Sequence, residues 1–213
     1  MSGALQAVFQ NQRSFGPPAI GAAFGGGFFA GQISTAGNGI ADYNLVVGPK
    51  ASAEIADKQW KTTYTDTPGT SSVINGPANS AAMNNANHPA AEFCEALTVG
   101  GFTDWYLPAK NEFEVCYYNL KPTTNSNNTS SGTNTNAVPS RGSNYTAGTP
   151  AQTSATIFQS PSGTEFFATN VDRWTSTQAT ALYGWNQIFS TGLQAQQYKT
   201  NGNTVRAIRR VAV

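Results

Sequence analysis

Apolar and polar positions change rhythm several times along the chain. Residues 1–20 have no period: Phe9 and Phe15 stand among polar neighbours, and the stretch ends in the stiff pair Pro17-Pro18. This pattern predicts an N-terminal arm over 1–18, followed by one domain over 19–213. "GAAFGGGFFAGQI" (21–33) reads as a glycine-rich turn entering a short strand, and "YNLVVGPK" (43–50) as a buried strand closed by Gly48-Pro49. Residues 51–87 keep no period and read as loop, held by Trp60 and Tyr64. Helical spacing then begins. Ala90, Phe93, Cys94 and Leu97 fall at i, i+3, i+4 and i+7, and Phe113, Cys116, Tyr117 and Leu120 repeat that spacing. Two helices are expected, near 88–98 and 109–120; Gly100-Gly101 stops the first and Pro108 leads into the second.

Beyond the second helix the apolar signal fades. Residues 121–150 are rich in Asn, Thr, Ser and Gly, and in an isolated domain would be disordered; neighbouring chains are expected to order them. Residues 154–171 alternate weakly around Phe158, Phe166 and Phe167. "RWTSTQATALYGWNQIFSTGLQAQQYKT" (173–200) reads as two or three short strands, with turns at Tyr183-Gly184 and Thr191-Gly192. "NTVRAIRRVAV" alternates along its length and reads as one terminal strand.

Composition narrows the functional classes. Charged residues make up 11% of the 213, far below the usual quarter, and the formal net charge is +1. Such a chain has no field for nucleic acid or an anionic membrane surface, and no stretch approaches the length of a membrane span. The two cysteines, Cys94 and Cys116, lie on apolar helical faces and read as buried thiols, with a disulfide between the helices as the alternative. The single histidine, His88, leaves no partner set for a metal or for a Ser-His-Asp triad. "GGGFFAG" lacks the lysine and the helix of a phosphate loop. Glu112 and Glu114 sit two apart on a helix and face different ways, while Asp104 and Asp172, each close to a tryptophan, read as caps or ion-pair partners. No enzyme apparatus, cofactor or metal site is expected.

Four segments taken in order, "GGFTDWYLPAKNEFEVCYYNL" (100–120), "RWTSTQ" (173–178), "GWNQIFSTG" (184–192) and "VRAIRRV" (205–211), resemble a large bacterial and phage family. Its members have C-type-lectin-like domains and, more remotely, resemble the formylglycine-generating enzyme fold. Within it, phage virion proteins often described as tail-fibre proteins are similar also in "FGGGFFAGQI", "YNLVVGPKAS", "MNNANHPAAEFCEAL" and the Asn/Thr segment; the likeness spans roughly 19–213. The resemblance implies an α+β fold, a C-type-lectin-like domain with two helices, short antiparallel strands and long loops. It puts Trp105, Leu107 and Pro108 in the core, Trp174 and Ser176 at the start of a terminal sheet, Trp185 on the next strand, and Arg206 and Arg209 on the last. Two departures stand out. Gln187 occupies the acidic place of the calcium-binding motif, so calcium-dependent sugar binding is not implied. No cysteine follows Cys116, so formylglycine chemistry is not implied either.

The expected function is a virion surface protein, a non-enzymatic adhesin that recognises a host surface glycan or protein. The alternative is a structural decoration, collar or tail protein whose fold supplies packing faces. The arm would bind other virion proteins, and a homo-oligomer, a trimer among the options, is expected. Aromatic and amide side chains with little charge suit close polar contact. The expected receptor-binding residues are Gln178, Thr180, Tyr183, Trp185, Asn186, Gln187, Gln194, Gln196, Gln197 and Tyr198.

Overall fold

The run Leu45-Val46-Val47 is apolar at three successive positions, which suits a strand covered on both faces. In the computed structural model, which describes residues 16–213, that strand lies between two cores. Leu45 and Val47 join the cluster of Ile33, Phe113, Tyr117, Phe167, Phe189 and Ile208. Val46 joins the cluster of Trp60, Trp105, Leu107, Trp174 and Val205.

The strand is β3 (Tyr43–Val47). It pairs antiparallel with β2 (Gly27–Ile33), which also pairs with β1 (Ala23–Phe24) and β5 (Ala137–Val138). On its other side runs β10 (Ile208–Ala212). A second sheet has the order β4-β9-β6-β7-β8, formed by β4 (Glu54–Gln59), β6 (Asp172–Gln178), β7 (Tyr183–Ile188), β8 (Gln194–Tyr198) and β9 (Gly202–Arg206). All its pairs are antiparallel except β6–β9, which meet in parallel at Arg173 and Thr204. The described residues also form four α-helices, α1 (Lys50–Ala53), α2 (Gly76–Ala82), α3 (Pro89–Glu95) and α4 (Lys110–Leu120), and a 3-10 turn at Thr156–Phe158. The fold is α+β. No helix among the described residues is long and apolar enough to cross a membrane.

Helix α4 lies on the first sheet at a bulge in β2 between Phe29 and Gly31. Gly31 has φ +125°, and a Cβ there would collide with Asn119, whose Nδ2 donates to the Ala30 carbonyl at 2.8 Å. Only glycine accepts both that backbone and that approach. The Glu112 carboxylate anchors the start of the helix: it accepts from the Ala109 N–H at 2.7 Å, the Gly76 N–H at 3.1 Å, the Tyr106 hydroxyl at 2.5 Å and Arg210 Nε at 2.7 Å.

Several expectations change. The segment 51–87 holds regular structure. Strand β4, "EIADKQ", is polar and only partly covered, so it shows no apolar alternation; α2 starts at the Asn75 cap, whose Oδ1 accepts from the Ala78 N–H, with a proline in its first turn. The first expected helix ends early, at Glu95, and Phe93 and Leu97 are half-buried. The expected turn at Tyr183-Gly184 lies at 179–182 instead, closed by the Ala179 and Thr180 N–H groups donating to the Tyr183 carbonyl. The expected single terminal strand breaks at Ala207 and serves both sheets, which separates Arg206 (β9) from Arg209 (β10). At the crossing, the Ala207 N–H donates to the Ala53 carbonyl, and its own carbonyl accepts from the Gly48 N–H.

The Asn/Thr segment 121–150 is held by contacts within its own chain. Lys121 Nζ donates to the Asn125 and Pro150 carbonyls at 2.5 and 3.1 Å. Asn127 accepts from the Tyr117 hydroxyl and donates to the carbonyls of Thr146, Ala147 and Pro150. Amides that read as turn formers are here the binding posts of a folded segment. Cys94 and Cys116 are free and buried in different clusters, and burial pushes both thiols well up. The expected arm falls outside the described residues except for Gly16, Pro17 and Pro18, which line an open cavity of about 440 Å³ with Phe24, Ala212 and Val213.

Candidate functional site

Strands β7 and β8 pair without a bulge, which brings three cross-strand couples onto one face: Tyr183 with Tyr198, Trp185 with Gln196, and Gln187 with Gln194. The face closes progressively along the strands. At the Gln187 end it is covered. Gln187 is fully buried, its Nε2 reaches the Gly192 carbonyl at 3.4 Å, and its Oε1 finds no partner. Asn186, on the opposite face, is also buried and both its amide atoms lack partners. These two expected receptor residues belong to the interior.

At the other end the face opens. The Tyr183 and Tyr198 rings lie 4.8 Å apart, and Tyr64 meets Tyr198 edge-on at 5.6 Å. Tyr64 is 50% and Tyr198 46% exposed, and Leu182 beside them is 43% exposed. Thr200 donates its hydroxyl to the Tyr64 oxygen at 2.7 Å. Three phenol rings thus form an open aromatic patch bordered by amides and hydroxyls. Tyr64 and Leu182 were not expected here. The one signal for Tyr64 is an aromatic residue in a stretch of hydroxyl side chains, "TTYTD", with no apolar residue at helical or strand spacing.

The segment that carries Tyr64 is clamped from below by two lysines. Lys61 Nζ donates to the Thr65 and Asp66 carbonyls and to Thr67 Oγ1; Lys199 Nζ donates to the Thr65 carbonyl at 3.0 Å and to Gln178 Oε1 at 2.5 Å. Lys199 also lies 4.6 Å over the Trp60 ring. Its desolvation, reinforced by Lys61, lowers its pKa to about 8. His88 bonds Thr67 and Asn85 beneath the same segment, and burial, then the two lysines, lower its pKa to about 4.

The remaining expected residues are committed within the protein. Gln178 accepts from the Thr67 N–H and donates to Asp66; Gln197 bonds Asp172 and Asn203. Trp185 is half-buried, with Lys110 Nζ 3.8 Å over its ring, so its face is already occupied. Gln194 is half-buried, and its N–H donates to Ser131 Oγ at 3.0 Å. Thr180 is exposed, but its hydroxyl caps the 179–182 turn by accepting from the Leu182 and Tyr183 N–H groups. Of the ten, Tyr183, Gln196 and Tyr198 stand together at the open end.

Three acidic groups elsewhere are tied up in structure. The Asp104 carboxylate forks onto Arg209 at 2.7 and 2.8 Å. Glu112 and Glu114 are buried in separate networks, Glu114 with Arg141, Asn134 and Tyr145, and burial raises both carboxyls. Among the described residues no group of three or more His, Cys, Asp or Glu side chains converges to hold a metal ion. No protein-family model matches the chain, and no curated protein matches it in sequence.

Proposed function

We propose that the chain is a non-enzymatic binding protein of a phage virion, a lectin-like adhesin whose contact surface is the open end of the β7–β8 face. The observation that carries this reading is the patch of Tyr64, Tyr183 and Tyr198. Tyrosine presents a large, rigid and amphipathic surface with few torsions to freeze, and such residues dominate recognition hot spots. The clamp of Lys61 and Lys199 holds Tyr64 in place before any ligand arrives, which reduces the ordering cost of binding. The low charge of the chain suits a neutral polar target, a glycan or a polar protein surface.

A structural role in the virion is the second reading, favoured by the cavity at Pro17, Pro18, Phe24, Ala212 and Val213. It sits where residues 16–18 leave the domain, and Val213 is 71% exposed. One experiment separates the two. Tyr64→Ala with Tyr198→Ala should leave particle yield unchanged and reduce adsorption to host cells by roughly tenfold or more, the loss expected when one or two hot-spot contacts disappear. Particles that fail to form would favour the structural role. Normal assembly with normal adsorption would overturn the adhesin reading.

A further inference from the structure

A second concavity lies away from the tyrosine patch, on the Asn/Thr segment. It measures about 310 Å³, at the lower end of the range that holds small ligands, and Tyr118, Arg141 and Tyr145 are part of its wall. We propose that this cavity binds an acidic saccharide, with the Arg141 guanidinium reading the carboxylate. This assignment does not rest on the function of the tyrosine patch.

The wall is built from α4 upward. Glu114, fully buried, pairs with Arg141 Nη2 and accepts from Asn134 Nδ2 at 2.6 Å and from the Tyr145 hydroxyl at 2.8 Å. One carboxylate thereby fixes three side chains of the segment 134–145. The backbone does the same: the N–H groups of Asn134 and Arg141 each donate to the other's carbonyl, at 2.8 and 3.0 Å. The Arg141 guanidinium stacks 4.0 Å over the Tyr118 ring. Its geometry is set before a ligand arrives.

Yet Arg141 is under-used. Arg206 and Arg209, the comparable buried guanidiniums, each place three nitrogens on oxygen acceptors. Arg141 places one. Among the described residues no acceptor takes its Nε, which is sealed from solvent, or its Nη1, which is the donor left for a ligand. A guanidinium in the wall of an open cavity with Nη1 free fits an external carboxylate, which Nη1 can meet with a charge-assisted hydrogen bond. Arg173 likewise hydrogen-bonds through one nitrogen and leaves Nε and Nη2 without a hydrogen bond, but it is wholly internal and lines no such cavity. The rim points to a polyol. It consists of Ser140, Ser143, Asn144, Thr146 and Thr149 and carries no charge of its own. Among the described residues the hydroxyls of Ser140, Ser143 and Thr149 make no hydrogen bond, and they can pair with sugar hydroxyls.

The test is titration of the full chain with sodium glucuronate, glucose and sodium acetate, followed by amide NMR shifts and calorimetry. Glucuronate should bind saturably with a millimolar dissociation constant and shift amides of residues 118–149, while glucose and acetate each bind at least tenfold more weakly. Arg141→Lys keeps the charge but removes the fork, and should weaken glucuronate tenfold or more. That change also disturbs the Glu114 pair, so Ser143→Trp, at an exposed rim position, serves as an independent block and should abolish the shifts with an unchanged melting curve. Equal binding of acetate would mean that no sugar is read, and equal binding of glucose that no carboxylate is read. Either result overturns the proposal, as would no saturable response to glucuronate, or unchanged binding by the Ser143→Trp protein.

Discussion

Identical residue types carry opposite energetic signs in this protein, and substitution should expose the difference. Asn127 is buried with all its amide valences in use, whereas Asn186 is buried with none. Asn127→Leu should cost about 2–3 kcal/mol, because it strands the Tyr117 hydroxyl and takes one donor from each of three carbonyls; Asn186→Leu should be neutral or stabilise by about 1 kcal/mol in urea unfolding. His88 adds a pH signature. Its folded pKa of about 4 lies below the unfolded value near 6.5, so the unfolded chain takes up the proton first. Its contribution is intact above pH 6.5 and is lost as pH falls towards 4, so urea midpoints should drop across that window and drop less in His88→Gln. These roles were not legible in the sequence. Whether an asparagine is a post or an orphan depends on partners far along the chain, and so does the burial of Gln187. For Trp105 a core position was expected, as the resemblance implies. It is fully buried, and Trp105→Ala should cost about 3–5 kcal/mol in the same measurement.

At the level of elements, legibility follows apolar periodicity. Helix α4 could be read from its spacing and β3 from its apolar run, whereas β7, which buries Gly184, Asn186 and Gln187, could be read only as one of two or three short strands. Strand β4 and helix α2 could not: one is polar and the other is rich in Ala, Gly and Ser, and both are held by tertiary contacts. The segment 61–70 is of the same kind, kept in place by ammonium groups on backbone carbonyls rather than by apolar packing. Lys199→Met should therefore release it without unfolding the domain. The Thr67 N–H, which now donates to Gln178 Oε1, should exchange with solvent at least tenfold faster by hydrogen-exchange NMR. Unchanged protection would mean that Lys61 alone suffices. The sequence thus located the strands that carry Tyr183 and Tyr198, but not the loop that brings Tyr64 beside them.

For the whole molecule, the deciding feature is the crossing at Ala207, where one run of backbone leaves the middle of one sheet and becomes the edge of the other. Strand β9 lies between β4 and β6, and β10 closes β3. Both sheets also bury residues from this run: Val205 and Ala207 in one core, Ile208 in the other. Its alternation was readable, but its division was not, because a strand that changes sheets keeps its period and alters only its neighbours. A chain ending at residue 206 should accordingly lose cooperative melting by calorimetry, although it retains every helix. The same feature sets a timetable for biosynthesis. While the ribosome is still adding residues before 202, β4 and β6 have no strand between them, and β3 has one open edge. The nascent chain must then keep Leu45, Trp105 and Trp174 from aggregating without a finished sheet. Neither sheet can be completed until residues 202–212 emerge, and a chaperone has that interval in which to act.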